Sequence, residues 1–292
     1  MASRRSPFFI IGSPRSGTTL LRLMLTSNPD LVVPPECGFI AWLYPHFFGW
    51  KGANETNIRD FAVAVFGSKK FETWGLGREE IEQALMARRP RWYADACSAV
   101  YERFAEKNLK PQARWGDKNN YYLKHITRLS KIFVEARFVH IVRDGRDVAC
   151  SYRDVMALGS KSPYRPTLPM QIGDIARQWS EDLREIRAQL SLLNDCVFFE
   201  LRYEDLVSNP SVELERLCEW LGTRYTPEML SFHQANQSNE LEPKLTLDWK
   251  MRTLEPVSTS TIGRYRVLLS ESEIAEFCKW ADSDLRRYGY AT

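Results

Sequence analysis

Phe8-Phe9-Ile10-Ile11-Gly12-Ser13-Pro14-Arg15-Ser16-Gly17-Thr18-Thr19 is the stretch that decides the fold. Four apolar residues, Phe8 to Ile11, read as a buried strand. Gly12 opens a turn, Gly17 closes it, and Leu20, Leu21, Leu23, Met24 and Leu25 form the apolar side of a helix. A glycine-bounded loop between strand and helix aims backbone N–H groups at one point, and the helix dipole adds positive potential there. The spacing Gly12-x4-Gly17 is that of a nucleotide-binding P-loop, but Thr18 stands where a P-loop NTPase carries lysine. Arg15 inside the loop supplies the fixed charge instead. The loop therefore suits an anionic nucleotide other than ATP or GTP.

The rest of the chain limits the function classes. With 292 residues a sizeable core is within reach, as one large α/β domain or two small ones. Lys and Arg number 40 against 37 Asp and Glu, net +3, and no basic block stands out. That balance disfavours nucleic acid, whose binders show a basic stripe or patch. Six cysteines (Cys37, Cys97, Cys150, Cys196, Cys218, Cys278) are scattered without metal-ligand spacing and read as small buried residues, with no metal expected. Met1 to Ser6 runs straight into the first strand, so a cytosolic, soluble protein without a signal peptide is expected. No apolar run approaches the ~20 residues that span a bilayer, and no membrane partner is expected.

Strands and helices alternate along the chain. A short extended piece spans 31–35 and ends at Glu36. Residues 39–48 are rich in aromatics (Phe39, Trp42, Tyr44, Phe47, Phe48), readable as core or as part of an acceptor pocket. Helical segments fill 50–112, clearest at 79–88 and 92–107. Strands are expected at 114–118, 137–142 and 197–201, and helices at 121–133, around 150, at 172–193, 211–221 and 271–287. Asp144 or Asp147 is the candidate cap of the helix through Cys150 and Ser151. Residues 158–170 and the polar stretch 234–262 read as loops. The alternation implies a parallel sheet covered by helices, with a ligand at its carboxyl edge.

A second anion site is legible in Arg137-Phe-Val-His-Ile-Val-Arg143-Asp-Gly-Arg146-Asp147-Val-Ala-Cys-Ser151. Arg143 ends a buried strand, and Ser151, eight residues on, can return to the same anion. Two such sites suit a nucleoside with phosphate at both ends. At this point the chain resembles the sulfotransferases that use 3′-phosphoadenosine 5′-phosphosulfate (PAPS), above all the branch with tyrosylprotein and bacterial enzymes. The resemblance rests on Pro14-Arg15-Ser16-Gly17-Thr18-Thr19, on Arg143 with Ser151, on Arg202-Tyr203-Glu204-Asp205-Leu206 and on Ile262-Gly263-Arg264-Tyr265-Arg266. It covers most of the chain apart from about 44–112.

The resemblance implies a P-loop-NTPase-like parallel sheet flanked by helices, one sulfotransferase domain over 1–292 with a helical insertion at 44–112. It implies PAPS as co-substrate and Arg15, Ser16, Gly17, Thr18 and Thr19 around its 5′ end. Arg143, Ser151, Gly263 and Arg264 would serve the 3′-phosphate, and Tyr203 the adenine. Glu36 falls where the branch has its general base, and Lys118 in Gly116-Asp117-Lys118 where it has the lysine that stabilises the transition state. Apolar neighbours (Val32, Val33, Phe39, Trp42) are expected to raise the Glu36 pKa by desolvation, which favours proton transfer. None of the four histidines falls at a motif position of the histidine-based branch. An arginine that the family carries just after the serine is replaced by Val155, and Arg153 is the candidate substitute. The scheme requires no metal. The acceptor stays open between a small molecule, a glycan and a peptide, to be shaped by 44–112, 158–170 and 234–262. A nucleotide kinase with a degenerate P-loop and a non-catalytic 3′,5′-diphosphoadenosine-binding protein are the alternatives.

Overall fold

The computed structural model describes residues 6–194 and 197–291; Cys196 and the leading residues 1–5 lie outside them. Five strands, β1 (Phe8–Ile11), β2 (Leu31–Val32), β3 (Arg114–Lys118), β4 (Arg137–Val142) and β5 (Phe198–Arg202), make one sheet in the order β2-β3-β1-β4-β5. Every pairing is parallel. β1 is central, with Ile10 beside Lys118 on one flank and Ile11 beside His140 on the other. All four of its side chains are fully buried. Such uninterrupted apolar runs are what a strand covered on both faces requires.

The period of two sorts these side chains onto two cores. Phe9, Ile11 and Phe138 face a cluster that continues into the helices between β2 and β3. Phe8, Ile10, Val139 and Ile141 face α1 (Thr18–Ser27) and a group of later helices. Between β2 and β3 lie α2 (Phe39–Phe47), α3 (Glu55–Phe66), α4 (Arg78–Arg88) and α5 (Tyr93–Lys107), with a 3-10 turn at Phe71–Trp74. The aromatic run divides: Phe39 packs on Phe61, Phe71, Trp74 and Tyr101, whereas Phe48 is 67% exposed.

After β3, a 3-10 turn (Asn120–Lys124) and α6 (Ile126–Ile132) replace the single helix expected over 121–133; the break falls at His125. β4 leads to α7 (Gly145–Ala157), and Asp144, not Asp147, caps it by accepting from the Arg146 N–H. α8 (Ile172–Leu190) stops three residues short of its expected end. Past β5 come α9 (Tyr203–Ser208) and α10 (Pro210–Leu221). The stretch 234–262, read as a loop, contains α11 (Phe232–Asn239), α12 (Lys244–Leu247) and 3-10 turns at Asp248–Leu254 and Thr259–Thr261. Helices of one or two turns are too short to show an amphipathic period, which explains the misreading. α13 (Tyr265–Leu268) and α14 (Glu271–Arg287) close the fold. No helix among the described residues is long and apolar enough to cross a membrane.

Candidate active site

The parallel sheet brings the carboxyl ends of β1, β3 and β4 side by side, and a cavity of about 440 Å³ opens over them. Its first wall is the loop after β1. Arg15 (φ 68°) and Gly17 (φ 96°) both take left-handed backbone, which bends the loop tightly around the start of α1. At Gly17 a side chain would also collide with Tyr203, since a Cβ would lie 2.4 Å from a ring carbon. α1 then starts with no side-chain cap and no acidic residue in its first turn. Its first N–H groups have no intrahelical partner, so the end is open to an anion. Arg15, Gly17, Thr18 and Thr19 line the cavity; Ser16 is buried beneath it, its N–H turned back to the Ser13 carbonyl at 3.2 Å.

The second wall comes from β4 and α7. The Trp179 indole donates to the Arg143 carbonyl at 3.1 Å and fixes the strand end. Arg143 donates to the Arg15 carbonyl at 3.2 Å and the Thr261 carbonyl at 2.9 Å, and its guanidinium lies over the Tyr203 ring at 4.4 Å. Its buried Nε has no partner. The adjacent Asp144 binds Arg146 at 2.7 Å. Arg15 Nε donates to Ser151 Oγ at 3.1 Å, so the two anion motifs meet. Desolvation, then the nearby Arg143, lowers the Arg15 guanidinium to about 10.

The third wall is the segment 248–264. Arg264 lines the cavity, paired with Asp154 at 2.8 Å. Gly263 lies behind it, donating to Asp147 at 2.7 Å, and Tyr265 donates to the other oxygen of Asp147 at 3.0 Å. Tyr203 hydrogen-bonds Thr261 at 2.7 Å, beneath the first loop. Arg153, the suggested substitute for a missing arginine, is taken by Glu273 at 2.5 Å, while Val155 lines the cavity.

Glu36 and Lys118 meet at the floor as a direct ion pair. Lys118 ends β3 and is 2% exposed, and burial lowers it to about 8. Beneath it Asp117 accepts from Tyr101 and Tyr122 at 2.5 Å each, and burial pushes it up to about 7. The expected rise in the Glu36 pKa is not what the site produces. Burial does push it up, but Lys118, Lys250 and Lys70 together hold it well below the ordinary value. Lys70 and Lys250 carried no motif and escaped the sequence reading. Lys250 binds Glu242 at 2.5 Å, and Glu242 binds Arg22 of α1 at 2.7 Å, all three nearly fully buried. Of residues 39–112, only Lys70 reaches the cavity; Tyr164 and Leu168 from 158–170, and Trp249 and Met251 from the 3-10 turn, line its outer part.

An open helix end and two arginine-bearing walls around one cavity define an anion-binding α/β site of the P-loop-like kind. Residues 7–227 match the Sulfotransferase family, and the chain belongs to that family of enzymes. Protein-tyrosine sulfotransferase 1 of Danio rerio is 27% identical over 226 residues, 76% of this chain and 54% of that one. The chain thus spans little more than half the length of that relative. The sulfotransferase domain from the curacin biosynthetic pathway superposes with a TM-score of 0.62 at 20% identity, covering 99% of each chain. A mouse sulfotransferase complexed with PAP superposes with a TM-score of 0.51 at 13% identity, covering 98% of this chain and 90% of that one. At such identities the two structures speak for the fold.

Proposed function

We propose that this single domain, with 44–112 as its insertion, transfers a sulfonate from PAPS to an acceptor hydroxyl. The observation that carries the reading is the pair of cation-bearing anion sites joined through Arg15 and Ser151, above a carboxylate–lysine pair. The residues fit the donor: an uncapped helix end and a buried, unpartnered Arg143 Nε are polar groups short of an anion. PAP in the mouse relative accords with this. The bound donor supplies an activated sulfonate on a phosphate leaving group.

This chain's residues do the rest. Arg15, Thr18, Thr19 and the free N–H groups at Gly17 and the start of α1 hold the 5′ end, with Ser16 bracing the loop from beneath; Arg143, Ser151 and Arg264, the last on the turn at Gly263, hold the 3′ end, with Tyr203 beside them. Lys118 neutralises charge developing on the transferred group. In turning to that group it leaves Glu36, and the carboxylate loses the strongest of the cations that keep it a weak base. Glu36 then takes the hydroxyl proton as the acceptor oxygen bonds to sulfur and the bond to the 5′-phosphate breaks. Cations of the chain balance the charge in this scheme.

The test begins with calorimetry of 3′,5′-diphosphoadenosine against ATP, ADP and AMP in metal-free buffer, followed by PAPS turnover on a panel of phenols, sugars and tyrosine peptides. Preference for the 3′-phosphorylated nucleotide, together with a Glu36→Gln variant that binds it normally and loses at least about 100-fold in turnover, is expected. Preference for ATP would return a kinase to first place, and wild-type turnover by Glu36→Gln would remove the base.

A further inference from the structure

Lys70 is the one residue of 39–112 in the cavity wall, and the fold goes to some length to put it there. Its backbone is left-handed, φ 70°, a conformation rarely taken by a residue with a long side chain and found where the surroundings impose it. Two bonds hold its carbonyl at the head of the next turn: the Thr73 N–H and Thr73 Oγ1 both donate to it, at 3.0 and 2.7 Å. The turn that follows is fastened to the chain beside Glu36, because the Trp74 indole donates to the Pro35 carbonyl at 2.9 Å. One turn therefore grips both the backbone before Glu36 and its carboxylate.

The carboxylate is shared by atom. Lys70 Nζ donates to Glu36 Oε2 at 2.8 Å, whereas Lys118 takes Oε1. The Lys70 ammonium also stands 5.7 Å from the centre of the Tyr164 ring, and the Tyr164 hydroxyl donates to Glu72 of the same turn. The ammonium is thus held from two sides, one of them the loop 158–170.

We infer that Lys70 is the positioning residue of Glu36: it keeps Oε2 anchored and charged when Lys118 leaves Oε1, so that Oε1 alone faces the acceptor. This rests on the proposed role of Glu36. Other charged groups around the carboxylate are Lys118 and Asp117 from β3, Arg15 from the first loop and Lys250 from the turn after α12. Lys250 is itself committed to Glu242, and Arg15 to Ser151. Lys70 is the cation that remains bonded to Glu36 once Lys118 has gone.

The test separates Lys70 from Lys118 and needs no acceptor. In full-length protein labelled with 13C at glutamate carboxyls, the Glu36 signal is assigned by its loss in Glu36→Gln. It is then titrated in Lys118→Met and in Lys118→Met/Lys70→Met. The expected result is a midpoint about one pH unit higher in the double variant, with Lys118→Met/Lys70→Arg staying at the Lys118→Met value. Lys70→Gln serves in the same background if Lys70→Met does not fold. Equal midpoints with and without the Lys70 charge would overturn the inference. So would a Lys70→Met variant whose only defect is weaker binding of 3′,5′-diphosphoadenosine, which would make Lys70 a donor ligand. An active Glu36→Gln sinks the base reading instead, whatever these midpoints do.

Discussion

At the residue scale, the site is made by side chains that the backbone holds in one place by force. Gly17 is the clearest: its φ of 96° and the Tyr203 ring 2.4 Å from a would-be Cβ leave no room for alanine. Gly17→Ala is expected to cost about 1–3 kcal/mol in stability and to abolish nucleotide binding, measured by chemical denaturation and calorimetry. Arg143→Ala is expected to weaken 3′,5′-diphosphoadenosine about 10- to 100-fold, as the loss of charge-assisted bonds of about 1.5–3 kcal/mol implies. Arg153→Ala is the control, since its partner Glu273 lies outside the cavity wall; equal losses in the two variants would mean a general defect. Arg15 and Arg143 were legible because they sit in a glycine turn and at a strand end, where local geometry and charge coincide, and Ser151 because it lies two turns into the helix that follows Arg143. Lys70 and Lys250 were not, because nothing near them in sequence says that one bonds Glu36 and the other brings its charge close to it. The error over the Glu36 pKa has the same origin: apolar neighbours are adjacent in sequence, whereas the cations arrive from three distant segments.

At the scale of elements, long buried strands and long amphipathic helices announced themselves. β4 falls at the expected residues because its buried run, Phe138 to Val142, is almost wholly apolar. β3 falls there too, although Arg114, Asp117 and Lys118 are charged and each is buried against partners. At Gly116 of β3 a Cβ would lie 2.4 Å from the Phe8 ring. The segment 248–264 was illegible for the opposite reason: its order comes from tertiary bonds. Asp147, inside α7, holds it by accepting the N–H groups of Gly263 and Tyr265. Asp147→Ala is expected to leave those donors unsatisfied, to cost about 1–3 kcal/mol, and to raise hydrogen exchange in 261–266 more than in β1 or β4. Uniform exchange across the chain would show that the segment does not depend on this tie.

At the scale of the molecule, the buried chain Arg22–Glu242–Lys250 links α1 to the C-terminal turns and stands behind the floor of the site. Burial alone would raise Glu242, but Lys250 and Arg22, with hydrogen bonds from Lys250 and Thr246, hold it down to about 2 against an ordinary 4.5. A carboxylate depressed by folding stabilises the native state above its unfolded pKa, and that stability disappears as the pH falls through the folded value. The contribution is about 3 kcal/mol by linkage, lost between about pH 4.5 and pH 2. Glu242→Gln strands two buried cations and is expected to cost about 3–5 kcal/mol at pH 7. Its denaturation midpoint should then fall less steeply than that of the parent below pH 4.5. A parallel acid profile in both would mean that Glu242 carries none of the acid sensitivity.

The three walls of the cavity, at 12–19, 143–151 and 248–264, are far apart along the chain. During synthesis the glycine loop and the central strand leave the ribosome before the other two walls, and domains fold as their residues emerge. The third wall follows more than a hundred residues behind Arg143. Until it arrives, the Thr261 carbonyl that anchors Arg143 and the arginine at 264 are missing. A nascent chain can therefore complete its sheet at β5, yet it acquires a closed anion site only after about sixty further residues have emerged.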